Sequence, residues 1–171
     1  MTISNAVTLS RLILLPFIVY FLVTDQRLVA FIVMLISLSS DAVDGFLARR
    51  LHQESEVGKI LDPVCDKISL TVIVITLLVL DLIPLWGVVI IVLRDLLILI
   101  GSFVMITHRS ILLKSNVVGK ITGALLGAVV LAFTIDLRQL GEILLYLSIP
   151  AIIASFAVYF GRYIKIMKGE K

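Results

Sequence analysis

The hydrophobic positions of this chain fall into six long apolar runs that are separated by short polar stretches. A helix needs about 20 mostly apolar residues to cross the hydrocarbon core of a bilayer, and each run is close to that length. We therefore predict an all-α integral membrane protein with six transmembrane helices in one bundle. The predicted spans are 6–24, 28–48, 58–82, 86–107, 118–135 and 143–164.

The composition agrees with this interpretation, because 60% of the residues are hydrophobic and only 16% are charged. A soluble domain has about 45–50% apolar residues. No linker or low-complexity tract interrupts the chain, so residues 1–171 are expected to form a single domain whose first apolar segment stays in the mature protein. Cys65 is the only cysteine, which excludes an intramolecular disulfide, and its apolar neighbours predict a core position.

The basic residues concentrate on one side of the predicted bundle. Short cytoplasmic loops are richer in Lys and Arg than loops on the far side, so both termini are predicted to be cytoplasmic. The formal charge of +3 favours an anionic membrane surface or phosphorylated substrates over nucleic acid as a partner. The residues assigned to the cytoplasmic belt are Arg11, Arg49, Arg50, Lys59, Lys67, Arg109, Lys114, Lys120, Arg162, Lys165, Lys168 and Lys171.

Four aspartates lie where the second and third predicted helices approach this side. Asp41 and Asp44 are three residues apart, and Asp62 and Asp66 are four apart, so each pair shares a helix face. The short connection between the helices predicts antiparallel neighbours whose four carboxylates could meet. A charge at the bilayer centre costs at least about 2.5 kcal/mol, so intramembrane carboxylates normally carry a function.

Carboxylate oxygens are the ligands that Mg²⁺ and Mn²⁺ prefer, whereas Zn²⁺ favours Cys and His. Two such ions would offset the four negative charges. Gly45, Ala48 and Gly58 leave open space beside the acids, and the planar fork of Arg49 can bind a phosphate. The pattern therefore favours a diphosphate-containing substrate. The alternative is that the acids are helix-end charges solvated by lipid headgroups, with the glycines serving helix packing.

The residues from Asp41 to Asp66 read D-x2-D-G-x2-A-R-x8-G-x3-D-x3-D. This run resembles, at every fixed position, the signature of the CDP-alcohol phosphatidyltransferase family. The resemblance implies homodimers and a general-base role for Asp66. It implies metal ligation by Asp41, Asp44, Asp62 and Asp66. It also implies that the cytidine diphosphate site is lined by Asp41, Gly45, Ala48, Arg49 and Gly58.

The implied reaction moves a phosphatidyl group from CDP-diacylglycerol to an alcohol, with release of CMP, at the cytoplasmic face of the inner (plasma) membrane. The opening Asn5, Thr8 and Arg11 and the run 118–120 are similar to the phosphatidylglycerol-phosphate synthase branch, whose acceptor is glycerol 3-phosphate. That branch more often has Arg-Glu where this chain has Arg94-Asp95, which also resembles cardiolipin synthases, with phosphatidylglycerol as the acceptor. Inositol phosphate is a third candidate.

Arg94 is a costly residue inside the fourth span, which predicts that it faces the bundle. It could bind an anionic acceptor in a basic pocket with Arg109, Lys114 and Lys120. The alternative for Arg94 is an ion pair, with Asp95 or between helices, that contacts no substrate. For Arg109 and Lys114 the alternative is a topological role alone.

The main interpretation from another class is an ion transporter or channel with a carboxylate relay, because intramembrane acids also mark ion pathways. It accounts for four acids in helices. It gives no reason for Gly45, Ala48, Arg49 and Gly58 at their positions, or for clustering at one face. A structural scaffold would have no use for the acids.

Overall fold

The computed structural model describes the backbone of residues 3–50, 58–109 and 117–167, and the side chains of residues 12–39, 64–101, 118–158 and 161. The regular structure in these ranges is helical. The helices are α1 (Ile3–Val23), α2 (Arg27–Arg50), α3 (Gly58–Val79), α4 (Leu85–Arg109), α5 (Val117–Thr134) and α6 (Arg138–Met167). The prediction of six helices is confirmed. The largest difference is at α6, which begins at Arg138 rather than at residue 143.

The helices differ in how well they match the length of a membrane span. Within the described residues, the segment Arg138–Val158 is the one that is long and apolar enough to cross a bilayer by length and composition. Shorter apolar segments occupy Leu12–Val23, Arg27–Ser39 and Val118–Thr134. Large apolar side chains are also exposed on the outer faces of the helices, among them Leu28 and Val79.

Three helices end in the same turn, with an aspartate in the left-handed backbone region: Asp25 (φ 58°), Asp81 (φ 54°) and Asp136 (φ 60°). After α1, the amide of Asp25 donates to the Leu22 carbonyl and the amide of Gln26 donates to the Phe21 carbonyl. The same two hydrogen bonds recur after α3 and α5, and together they define a Schellman motif. The fold is thus a set of three helical hairpins. This repeat was not predicted, although its sequence signal is an aspartate shortly after the apolar residues that end α1, α3 and α5.

Arg27 joins the first hairpin to the third. Its guanidinium lies 2.6 Å from an Asp25 oxygen and 2.7 Å from an Asp136 oxygen, and Arg138 binds the other Asp136 oxygen at 2.9 Å. The hydrogen bond from Arg138, and then that from Arg27, lower the pKa of the Asp136 carboxyl. The stabilising contribution of this carboxylate is therefore complete above its ordinary pKa and is lost as the pH falls through the lowered value.

The core forms where the hairpins meet. Helix α1 packs against both α2 and α3, α5 packs along α6, and α5 also contacts α2 and α3. Because apolar side chains from every described helix meet at this centre, the hairpins share one core. Its fully buried large side chains include Leu22, Leu77, Leu126, Phe133 and Leu145. Cys65 is buried, as its apolar neighbours predicted.

The start of α6 packs directly on Phe133. A Cβ at Gly141 would lie 2.8 Å from the ring, which is 1% exposed and cannot move without displacing the core. We expect Gly141→Ala to lower the free energy of unfolding by about 1–3 kcal/mol, as overpacking does. Unfolding in detergent measures this change. Gly101→Ala is the matched control, because no atom lies within 4 Å of its added Cβ. Equal stability of the two variants would refute the packing argument.

Candidate active site

Asp66 lies on α3 at the edge of a partly open cavity of about 260 Å³. The side chain of Asp66 is exposed. Four helices form the walls of the cavity. They contribute Ile18 from α1, Met34, Ser37 and Leu38 from α2, Asp66, Ser69, Leu70 and Ile73 from α3, and Gly123, Gly127 and Val130 from α5.

The cavity is polar near Asp66 and apolar beyond it. Asp66 and Ser69 occupy successive turns of α3, and the hydroxyl oxygen of Ser69 is buried with no hydrogen-bond partner in the described part of the chain. Leu70 and Ile73 continue the same wall. A helix rises 1.5 Å per residue, so Ile73 lies about 10 Å along α3 from Asp66. The shape and polarity suit an amphipathic molecule whose polar end is beside the carboxylate.

For the other predicted metal ligands, the structure describes the position of the backbone only. Asp41 and Asp44 lie on α2 and Asp62 lies on α3. Their side chains are outside the described residues, as are the side chains of Arg49 and Ala48 and the surroundings of Gly45 and Gly58. Among the side chains that are described, no group of three or more His, Cys, Asp or Glu residues could hold a metal ion. The metal site therefore stays a prediction.

The helices that carry the aspartates meet at this cavity. The short connection between α2 and α3 predicted that these helices pack against each other as antiparallel neighbours. Within the described residues this is wrong, because α1 packs against both helices while α2 and α3 have at most a minor direct contact, although each contributes a wall of the same cavity. The signature helices thus converge on one space, which is partly filled by α1.

A buried ion cluster lies on the α4 side of α3. Arg94 is 6% exposed, and its Nη1 lies 2.6 Å from Oδ1 of Asp95. The same Asp95 oxygen lies 2.6 Å from Nζ of Lys67 on α3, while Nη2 of Arg94 donates to the Gly119 carbonyl on α5 at 3.4 Å. The ion pair considered for Arg94 is therefore present. Lys67, which was assigned to the cytoplasmic belt, is paired within the bundle, a contact that the sequence did not predict.

The remaining predicted acceptor residues are only partly described. Lys120 is exposed on α5, directly after Gly119. Arg109 ends α4, and its side chain is outside the described residues, as is the whole of Lys114. The structure therefore brings Arg94 close to the segment that carries Lys120, and it leaves the other two residues as predictions.

In the described part of the chain, the site is a carboxylate at the polar end of an apolar cavity between helices, an arrangement that suits an amphipathic molecule. Comparison with known families is more specific. The chain belongs to the CDP-alcohol phosphatidyltransferase family, whose model matches residues 1–156. The resemblance seen in the sequence is thereby confirmed. Members of this family are membrane-embedded lipid synthases that use a divalent metal ion.

Three relatives illustrate the different activities for which members of the family are named. The chain is 44% identical over 68 residues to a CDP-diacylglycerol--glycerol-3-phosphate 3-phosphatidyltransferase of Aquifex aeolicus, covering 40% of this chain and 38% of that protein. It is 31% identical over 132 residues to a Bacillus subtilis protein of the same name, covering 68% of each. It is 38% identical over 105 residues to a probable cardiolipin synthase (CMP-forming) of Drosophila melanogaster, covering 61% of this chain and 33% of that protein. The matches thus span only about a third of the Aquifex and Drosophila proteins.

Proposed function

We propose that this protein transfers the phosphatidyl group of CDP-diacylglycerol to an alcohol and releases CMP. The observation that carries the proposal is Asp66, the last aspartate of the family signature, at the polar end of an apolar cavity. We propose glycerol 3-phosphate as the acceptor, because the Aquifex and Bacillus relatives are named for it. Phosphatidylglycerol is the second candidate, supported by the Drosophila relative and by the Arg94-Asp95 pair.

Helical periodicity supports convergence of the four aspartates. On α2, Asp41 follows Ser37 by four residues, and Ser37 lines the cavity. On α3, Asp62 precedes Asp66 by four residues. Positions four apart share a helix face, so the signature faces of both helices continue from the walls of the cavity. The proposed ligands of two Mg²⁺ or Mn²⁺ ions are Asp41, Asp44, Asp62 and Asp66, with cytidine diphosphate beside Gly45, Ala48, Arg49 and Gly58.

The chemistry assigned to these residues is a phosphoryl transfer in which positioning and charge stabilisation matter most. Divalent ions, when bound, would neutralise the charge that develops on the diphosphate. Asp66 removes the proton from the acceptor hydroxyl, and the hydroxyl oxygen attacks the lipid-side phosphorus. A new P–O bond forms to the acceptor, the P–O bond to CMP breaks, and CMP leaves. Arg49 would hold a phosphate of the nucleotide with its planar fork.

The cavity gives the donor lipid a place beside this chemistry. Its polar end at Asp66 and Ser69 suits the phosphate and glycerol portion of the lipid. The apolar walls, which extend about 10 Å along α3, suit the first part of an acyl chain. The lipid would thereby be held with its phosphorus near Asp66 while the rest of its chains remain in the membrane.

The ion cluster supports an anionic acceptor. Lys67 and Arg94 carry two positive charges against the single negative charge of Asp95. The Nε of Arg94 is buried and has no hydrogen-bond partner in the described part of the chain. A phosphate would satisfy the remaining charge, so we propose an acceptor pocket formed by Arg94, Arg109, Lys114 and Lys120.

The same proposal places the protein in the membrane as one domain with six spans, both termini in the cytoplasm and the active site at the cytoplasmic face. The exposed apolar side chains support lipid contact, and the one-sided belt of basic residues supports the orientation. The family resemblance noted above implies homodimers, and we propose the same assembly for this chain.

The decisive experiment measures CMP release by the purified protein in detergent, with CDP-diacylglycerol, Mg²⁺ or Mn²⁺, and each acceptor in a separate reaction. We expect glycerol 3-phosphate to support release. Release with phosphatidylglycerol alone would favour the second candidate. The proposal fails if no alcohol supports release, and ion flux through reconstituted liposomes without CMP release would favour the transporter interpretation.

A further inference from the structure

The residue directly after Asp66 is anchored to a different helix. Lys67 extends from α3 to α4, where its Nζ lies 2.6 Å from Oδ1 of Asp95. The side chain of Asp95 is 5% exposed and that of Lys67 is 24% exposed, so water screens this pair much less than a surface pair. The contact is thus a short, directional tie between two helices at the position next to the proposed base.

The Lys67–Asp95 ion pair is part of a hydrogen-bond network that extends along α4 and to α5. Oδ1 of Asp95 also accepts a hydrogen bond from Nη1 of Arg94 at 2.6 Å. Nη2 of Arg94 donates to the Gly119 carbonyl on α5 at 3.4 Å. Asp95, the partner of Lys67, is therefore also bound by Arg94, which in turn contacts α5.

Asp66 and Lys67 lie on different faces of α3. Asp66 lines the cavity with Ser69 and Ile73, whereas Lys67 lines a separate groove against α4 with Thr71 and Val72. Successive residues on a helix are about 100° apart, so a rotation of α3 that moved one side chain would move the other by the same angle. The contact between Lys67 and Asp95 therefore favours the rotation of α3 at which Asp66 faces the cavity.

The ion pair adds to the constraint that apolar packing supplies. The fit of many apolar side chains sets the rotation of α3 against its neighbours, and a hydrogen-bonded ion pair adds a preferred distance and direction at one position. A buried ion pair is also no more stabilising than well-packed apolar residues, so its stability contribution does not by itself explain its presence. A directional contact of this kind can orient a neighbouring functional group.

We propose that Lys67 and Asp95 are positioning residues that orient Asp66 toward the metal ions and the acceptor hydroxyl. This inference rests on the proposed function, because it assigns these residues a role in the geometry of that site. Residues that orient metal ligands from outside the ligand shell typically change metal affinity or activity about 10–100-fold when they are replaced. Lys67 acts through Asp66 and touches no reacting atom.

The test variant is Lys67→Met, which removes the tie and leaves Asp95 paired with Arg94. We expect Mn²⁺ binding, measured by electron paramagnetic resonance on the purified protein in detergent, to weaken about tenfold or more. The Mn²⁺ concentration for half-maximal CMP release should rise by the same factor, while the KM for CDP-diacylglycerol stays unchanged. Lys67→Arg keeps the charge and the reach to Asp95, and it should restore Mn²⁺ binding to within about threefold of the wild type.

Thr71→Val is the matched control. Thr71 lines the same groove one turn along α3, but its hydroxyl donates to the Lys67 carbonyl within the same helix at 2.7 Å. This variant should bind Mn²⁺ as the wild type does. Should Lys67→Met fail to fold, Lys67→Gln removes the charge with a smaller change and is expected to weaken Mn²⁺ binding in the same direction.

The outcomes separate this inference from the proposed function. Wild-type protein that releases no CMP with any acceptor would overturn the function. Wild-type protein that releases CMP, together with a Lys67→Met variant that binds Mn²⁺ equally well, would overturn the positioning role alone. Equal losses in Lys67→Met and Lys67→Arg would also overturn it, because the ion pair would then not be the property that matters.

Discussion

Asp66→Asn should reduce CMP release by a factor of about 100 to 10,000, the usual contribution of a positioned general base. The amide has nearly the same shape as the carboxylate, but it cannot accept the proton of the acceptor hydroxyl and it is a poor metal ligand. Because Asp66 is exposed at the edge of the cavity and asparagine has nearly the same size, the fold should be retained. Single-turnover CMP release at saturating donor, acceptor and Mn²⁺ measures the effect.

Asp81→Asn is the matched control for this prediction. Asp81 is an exposed aspartate in the α3–α4 turn, with a left-handed backbone that asparagine also adopts. The same chemical change at this position should leave CMP release at the wild-type rate. If Asp66→Asn retained more than about a tenth of the wild-type turnover, the base role would be wrong.

Gly127→Leu should impair use of the long-chain donor lipid. Gly127 lines the cavity and a Cβ there meets no atom within 4 Å, so the leucine side chain is expected to occupy part of the cavity. If it displaces about three methylene groups of the donor at about 0.8 kcal/mol each, kcat/KM for CDP-diacylglycerol should fall about 50-fold. The loss should appear mainly in KM, because the Asp66 carboxylate and the proposed metal ligands are untouched.

Two comparisons isolate this effect. Gly101→Leu places the same side chain in open space on α4, away from the lining of the cavity, and should leave kcat/KM unchanged. A donor with short acyl chains has fewer methylene groups to lose, so Gly127→Leu should affect it less. Equal losses for short and long chains would show that the cavity does not hold the lipid.

The sequence alone predicted the parts of this protein that depend on local pattern. Six apolar runs predicted six helices because burial of an apolar face and the length of a helix are both properties of contiguous residues. The residues from Asp41 to Asp66 predicted the family because the identity of the signature residues and the intervals between them are properties of the sequence itself. The repeated turn at Asp25, Asp81 and Asp136 was equally local, but it needed backbone angles to be recognised.

The tertiary structure decided which groups meet across helices. The sequence left two roles open for Arg94, in a substrate pocket or in an ion pair. Only the packing of α3 on α4 showed that Asp95 is shared by Arg94 and Lys67. The cavity at Asp66 likewise depends on α1 and α5, which lie far from the signature in the sequence. The physical reason is that the rotation and depth of one helix against another follow from the fit of many side chains, which no local spacing specifies.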